Sequence, residues 1–361
     1  MKKSKWLLLS ASAAAAGAAA AHVLRRPFWG KGPGREDRLA YAARAVNYDG
    51  RRFLNPAVWN LKGVETDVPL SQKPQRPRHL LPTVKPNFAE TGEAAVTWFG
   101  HSTLLVQMHG KNILIDPVFS RRCAPFPLRS LVRFARPAVR PGELPHIDLL
   151  LLTHDHYDHM DRDSLLRLKG KVGAFVVPLG LEKHLQSWGV EKGRIHAMSW
   201  WEERDFDGLT VCCTPCRHNG GRTLSDPQRT LCCSWVLRDG HTQIFESGDT
   251  GYGAHFAAIH DRYGDFDLAM LDCAQYSMDW HYCHMFPEES IRASRALGAK
   301  TVMPIHWGAF VLSRHAWDDP PERFVRAAAA EGIPCVTPRL GERMELSQYG
   351  KYTRRWWRGM E

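Results

Sequence analysis

The sequence predicts an α/β protein in which two β-sheets pack face to face with helices on their outer sides. Three observations predict it. Short apolar runs bounded by turn residues recur from residue 94 onward, helical periods separate some of them, and each strand-rich half is followed by covering helices. With 361 residues, 44% of them hydrophobic, the chain has apolar material for one large domain or two medium ones.

The elements follow in order. "AAVTWFG" ends at Gly100, "STLLVQMHG" turns at His109 and Gly110, and "KNILIDP" stops at Pro117, a succession that reads as an antiparallel meander. The Pro- and Arg-rich "RRCAPFPLRSLVRFARPAVRPGELP" is long enough for a loop or lid. From Ile147 strands alternate with helices: "IDLLLLTH", the helical "DRDSLLRLKG", "KVGAFVVP", then the helical "LGLEKHLQSWG". A second strand-rich half contains "LTVCCTPCRH", "LCCSWVLR", "HTQIFESGD" and "FDLAMLDC", followed by the helix "PEESIRASRALG", the strand "KTVMPIHWG" and the helix "PPERFVRAAAAEG". The unbroken run "IDLLLL" is what a strand buried on both faces looks like. No internal repeat is present.

Four segments result: a targeting segment (1–24), an extended Pro-, Arg- and Gly-rich lead-in (25–93), the main domain (94–346) and a basic aromatic tail (347–361). Residues 6–23 carry no charge, close to the ~20 needed to span a bilayer. An uncleaved anchor and a cleavable signal peptide both fit this Ala-rich stretch. Arg25, Arg26, Lys31, Arg35 and Arg38 outweigh Lys2, Lys3 and Lys5, which keeps the main domain on the cytoplasmic side of the membrane. Nine cysteines, an odd number with two adjacent pairs, read as mostly free thiols and point the same way. In the tail, Trp356 and Trp357 stand among Arg354, Arg355 and Arg358, suited to an anionic lipid interface or to a frayed terminus.

The formal charge of +10 favours anionic partners, among them phospholipid surfaces, phosphoesters and nucleic acid. No clustered aromatic-basic groove accompanies it, which speaks against nucleic acid.

The chemistry gathers at strand ends. Directly after "IDLLLL" come His154, His156, Asp158 and His159 in an H-x-H-x-D-H pattern. A catalytic zinc takes about three protein ligands and leaves one position open, so four donors in six residues point to a pair of ions. His218, Asp249 and His306 close or follow three other apolar runs. Ligands at strand ends are rigidly held yet face a cleft.

This constellation resembles the metallo-β-lactamase-fold hydrolases, and within them the branch containing N-acyl-phosphatidylethanolamine-hydrolysing phospholipase D. "WFGHSTLLV", "ILIDPVFS", "VRFARPAVRPGELPHIDLLLLTHDHYDHMD", "RTLSDPQRTLCCSWVL", "ESGDTGYGAHFAAI" and "PIHWGAFVLS" carry the likeness, and "VNYDGRRFLN" extends it into the lead-in. The resemblance implies an αββα four-layer sandwich of two mixed β-sheets with outer helices. It implies two zinc ions, with His154, His156 and His218 on the first, Asp158, His159 and His306 on the second, and Asp249 bridging both. Asp158 would also orient the attacking hydroxide, and His284 would be a substrate-facing or proton-donating histidine.

Other candidates support that centre. His101 ends a strand and is placed to line the cleft or orient a ligand, and Asp116 is placed to accept from a metal-bound imidazole or to make a turn. Arg222 reads as a phosphate clamp or a solvated surface residue. Gln275, Tyr276, Trp280 and His281 are candidate pocket residues in "AQYSMDWHYCH", which departs from the phospholipase pattern, as does Asn219 where an aromatic is usual.

A zinc-dependent phosphodiesterase of phospholipase D type, acting on a (N-acyl) phosphatidylethanolamine-like phospholipid, accounts for charge, N-terminal segment and resemblance together. The N-terminal segment and the basic stretch 129–140 would then keep the cleft near headgroups. An anionic or zwitterionic phospholipid and a membrane surface are the implied partners, and a homo-oligomer is compatible. The alternative is a metal-dependent lactonase or other carbonyl ester hydrolase. A metal-binding protein without catalysis fits poorly with a complete ligand set.

Overall fold

The computed structural model describes residues 27–54, 74–88, 92–125, 131–223 and 227–360. Residues 1–24, expected to be a targeting segment, lie outside the described residues, and no helix among the described residues is long and apolar enough to cross a membrane.

The first sheet contains β1 (Ala95–Trp98), β2 (Leu104–Met108), β3 (Lys111–Ile115), β4 (Ile147–Leu151), β5 (Val172–Pro178) and β6 (Ile195–Met198). The second contains β7 (Glu203–Phe206), β8 (Leu209–Thr214), β9 (Ser234–Arg238), β10 (Gln243–Glu246), β11 (Leu268–Asp272) and β12 (Val302–Ile305). A last strand, β13 (Arg343–Glu345), returns to the first sheet, giving the orders β13-β1-β2-β3-β4-β5-β6 and β12-β11-β10-β9-β8-β7. Each sheet is mixed: β3 to β6 run parallel beside an antiparallel meander, and β10 to β12 run parallel beside another.

The helices are α1 (Arg35–Arg44) in the lead-in, α2 (Arg162–Leu168), α3 (Leu181–Ser187), α4 (His255–Tyr263), α5 (Pro287–Ala296) and α6 (Asp319–Ala330). The αββα sandwich is therefore the observed architecture. β4 shows why the leucine run is unbroken. Leu149 and Leu151 join the core between the sheets, while Leu150 and Leu152 pack with Leu165, Leu168, Leu181 and Leu185 of α2 and α3. Successive side chains of a strand face opposite ways, so both faces demand apolar residues. Each buried leucine contributes roughly 1.5–3 kcal/mol.

Local chemistry sets the connections. Met108 pairs with Lys111 across His109 and Gly110, whose φ values of 52° and 65° give the two-residue turn that matches strand twist. Asp161 caps α2 through the amide of Asp163, and prolines open α5 and α6, where a missing N–H costs nothing.

Several elements differ from the sequence reading. β6, β7, β13 and α4 are additional; β7 reads "ERDF" with Glu203, Arg204 and Asp205 exposed, as an edge strand does when it discourages foreign pairing. The run ending at His218 is a strand only to Thr214, so His218 sits on a loop. The tail is packed onto the domain rather than frayed, with Arg354, Arg355 and Arg358 exposed. Trp357 is 1% exposed, Trp356 stacks on Trp307 at 5.6 Å, and Arg358 pairs with Glu322.

Candidate metal centre

Loop ends from both sheets converge on one buried cluster. His154, His156, Asp158 and His159 arrive from the loop after β4, His218 from the loop after β8, Asp249 from the turn after β10, and His306 directly follows β12. Two sets of donor atoms form, each within 4.8 Å: His154, His156, His218 and Asp249 in one, His101, Asp158, His159 and His306 in the other. Asp249 adjoins both, its Oδ2 being 3.7 Å from His154 Nε2 and 3.1 Å from His159 Nε2, and its Oδ1 3.3 Å from His306 Nε2.

The outward nitrogens are anchored, which fixes the inward ones. His159 Nδ1 donates to Asp116 Oδ2 at 2.7 Å, His218 Nδ1 to the Cys283 carbonyl at 3.0 Å, and His306 Nδ1 to Asp272 Oδ1 at 3.1 Å. His154 Nδ1 lies 3.0 Å from Thr153 Oγ1, whose hydroxyl donates to Asp116. Nε2 of these four rings faces the cluster, whereas His156 presents Nδ1, 3.2 Å from His218 Nε2. Imidazoles that ligate metals are oriented by such partners.

The donor set fits cations. His154 Nε2 is buried without a hydrogen-bond partner although it faces Asp249. Burial, with neighbouring imidazoles, holds His154 well below its ordinary pKa and takes His218 to about 3, leaving the neutral form that ligates. Burial also works against charge on His306, yet Asp249 and Asp272 draw it up to about 10. The carboxylates of this half demand positive charge.

Strain marks the same place. His101, Asp116, Gln275 and His306 hold φ of 54°, 43°, 58° and 68°, a region that costs side-chain-bearing residues of order 1–3 kcal/mol each. A reciprocal pair secures two of them, His101 N to the Trp307 carbonyl at 2.7 Å and His306 N to the His101 carbonyl at 3.1 Å. His101 Nε2 also contacts Asp158 Oδ2 at 2.8 Å, beside the cluster where it was expected.

Asp272 is the residue that sequence reasoning missed. Its Oδ1 holds His306 and its Oδ2 holds His284 Nδ1 at 3.1 Å, so one carboxylate orients both rings. The signal was available, since "FDLAMLDC" is another apolar run stopping at an aspartate. His284 stacks on His306, 5.3 Å between centroids, and lies 5.0 Å from His218, at the cluster as expected.

Other expectations are corrected. Arg222 is 4% exposed; its guanidinium donates to the carbonyls of Asp155, Met160 and Phe28 and lies 4.2 Å over Tyr157, so it ties the ligand loop to the lead-in and is no phosphate clamp. Gln275 points inward, donating to the His306 and Phe310 carbonyls and accepting from Leu312 N, which makes it a brace for the His306 loop. Tyr276 is buried against His315, Arg323 and Asp319 rather than lining a pocket. Trp280 donates to the Gln275 carbonyl and His281 pairs with Glu289 at the start of α5. Of the basic stretch, Arg133 is buried, donating to the Val118 carbonyl over the Phe310 ring. Residues 126–130 lie outside the described residues.

Comparisons with known proteins agree with this geometry. The family model described as "Beta-lactamase superfamily domain" matches residues 111–307. The chain is 37% identical to an uncharacterised protein of Mycobacterium tuberculosis over 85% of this chain and 86% of that one. It is 32% identical to the mitochondrial N-acyl-phosphatidylethanolamine-hydrolyzing phospholipase D of Saccharomyces cerevisiae, over 77% of this chain and 61% of the relative. Among solved structures, an isothiocyanate hydrolase from Delia radicum gut bacteria shares the fold, with TM-score 0.55 and 22% identity over 69% of this chain and 98% of that one. With the ligand-bearing loops, the two mixed sheets and this match over more than half its length, the chain belongs to the beta-lactamase superfamily of metal-dependent hydrolases.

Proposed function

We propose that this protein is a binuclear zinc phosphodiesterase of phospholipase D type acting on a phosphatidylethanolamine-like, N-acylated phospholipid. The observation that carries the substrate class is the 32% identity to the yeast phospholipase D across 77% of this chain. His154, His156 and His218 would hold one zinc, Asp158, His159 and His306 the other, with Asp249 between them; all seven lie in the cluster. Bound there, the ions would supply an activated water near neutral pH and would neutralise charge developing on phosphate oxygens.

The chain's own residues do the rest. Asp158, fixed by His101, orients the water, and Asp116 and Asp272 hold His159 and His306 in the ligating tautomer. His284, with Nδ1 committed to Asp272, turns its other nitrogen to the leaving alkoxide as proton donor. The targeting segment would keep this chemistry at a membrane, with the catalytic domain on its cytoplasmic side.

A second reading is favoured by Asn219 beside His218, where the phospholipase pattern has an aromatic, and it is compatible with the 31% identity over 70% of this chain to a metal-dependent hydrolase of Pelotomaculum thermopropionicum, whose name specifies no bond. In it the same cluster opens a lactone or other carbonyl ester. Membrane lipids incubated with wild type and Asp249→Ala, followed by mass spectrometry, test the two. Phospholipid consumed by wild type alone supports the first. Lactone hydrolysis with every phospholipid and bis-p-nitrophenyl phosphate left intact replaces it with the second.

A further inference from the structure

The loop that carries His218 also walls a cavity outside the metal-ligand cluster. Its volume is about 540 Å³, and it is lined by Arg35, Arg38 and Leu39 of α1, by Arg51 and Arg52 of the turn after it, and by Arg229. Among the described residues no acidic side chain lines it. Among the described residues Arg35, Arg38, Arg51 and Arg229 form no ion pair through their guanidinium groups, while Arg52 reaches Asp49 at 3.6 Å. Guanidinium groups gathered with a single carboxylate beside them repel one another, and the arrangement is relieved by an anion from outside. Their planar forks match phosphate oxygens.

Two further observations say where that phosphate comes from. Leu39 on the cavity wall is 67% exposed, and Val46, just past α1, is 91% exposed. Aliphatic side chains standing beside arginines suit the headgroup level of an acidic bilayer. The uncharged residues 6–23 precede α1 by residues 24–34, a stretch that spans at most ~40 Å when extended. Any bilayer that segment enters is thus within reach of α1.

We propose that this cavity is a docking site for anionic phospholipid headgroups, through which the protein sits on an acidic membrane surface. The site is tied to the cluster. Gln228, between Pro227 and Arg229 of the wall, donates through Nε2 to Asn219 Oδ1 at 2.9 Å, next to His218, and its carbonyl accepts from Phe53 N. Trp29 lies 6.3 Å from Tyr157, between His156 and Asp158, so the lead-in passes the ligand loop on its way to α1. Docking would therefore bring the loop at the cluster's edge toward the lipid. The proposal does not depend on which ester the cluster hydrolyses.

The test uses the full chain and co-sedimentation with phosphatidylcholine vesicles with and without phosphatidylglycerol, so that the uncharged residues 6–23 contribute equally to both and the basic flanks Lys2, Lys3, Lys5, Arg25 and Arg26 contribute equally to every variant. Wild type should bind the acidic vesicles at least about tenfold more tightly, with the preference falling as salt rises. Arg35→Gln/Arg38→Gln/Arg51→Gln should lower the preference severalfold or more while hydrolysis of a soluble ester and the melting temperature stay as in wild type. Leu39→Ser, which leaves the charges in place, should weaken binding to acidic vesicles severalfold, and it serves if the triple variant does not fold. A preference missing in wild type, or kept in the triple variant, overturns the proposal. Inorganic phosphate bound by wild type and lost in the triple variant, with vesicle binding unchanged, also overturns it, because the cavity is then a small-anion site.

Discussion

Asp272 joins two parts of the site, because one carboxylate fixes two imidazoles at 3.1 Å each. Asp272→Asn keeps the shape and removes the charge that selects the tautomer of His306. We expect about 10–100-fold loss in zinc affinity or turnover, read by metal titration and by hydrolysis of bis-p-nitrophenyl phosphate. Unchanged values for both would reduce Asp272 to packing. Arg222 is the opposite case. Arg222→Ala strands two buried backbone carbonyls and the part-buried one of Phe28 and should destabilise the fold by about 3 kcal/mol, seen as a lower denaturant midpoint, while KM of the folded fraction stays put. A raised KM at wild-type stability would restore the phosphate clamp.

At the level of elements, the loop after β10 and the loop that carries His284 touch backbone to backbone. A Cβ on Gly251 would run into the Tyr282 carbonyl, so only glycine lets Asp249 and His284 sit on adjoining loops. Gly251→Ala should displace His284 and lower kcat by about tenfold or more with little effect on zinc content, since misplacement by ~1 Å costs up to ~100-fold. Equal kcat would show that the loop yields without moving His284. The same scale explains what the sequence made legible. β4 was readable because both its faces are buried, and its ligands follow at once. β7 was not, because an edge strand is kept polar, and β13 has only three residues. Asp116 could be anticipated as a partner of a metal-bound ring, whereas Gln275 and Tyr276 could not be assigned, since whether a loop side chain faces a cleft or braces its own backbone depends on neighbours far away in sequence. Arg222 makes the point plainly: its partners include Phe28, distant in the chain but adjacent in space.

For the whole molecule, the cluster is a junction between two sheets. The first sheet contributes His154, His156, Asp158 and His159, and the second contributes His218, Asp249 and His306. Asp116, Asp158, Asp249 and Asp272 are all buried there, and removing carboxylates from water is costly unless positive charge stays beside them. Ions that bind the folded chain and not the unfolded one stabilise it by mass action, about 4 kcal/mol when free metal exceeds Kd by ~1,000-fold. For a chain of this size each kcal/mol moves the melting temperature by about 1–2 °C, so chelation should lower it by roughly 5 °C for each ion lost and added zinc should restore it. His154→Ala, which removes a candidate ligand from one set only, should show a smaller shift on chelation, because Asp158, His159 and His306 would still hold an ion in the other set. Differential scanning calorimetry with and without a chelator measures this. A melting temperature indifferent to chelator would mean that hydrogen bonds and protonated histidines alone join the sheets, and the metal assignment would fall with it.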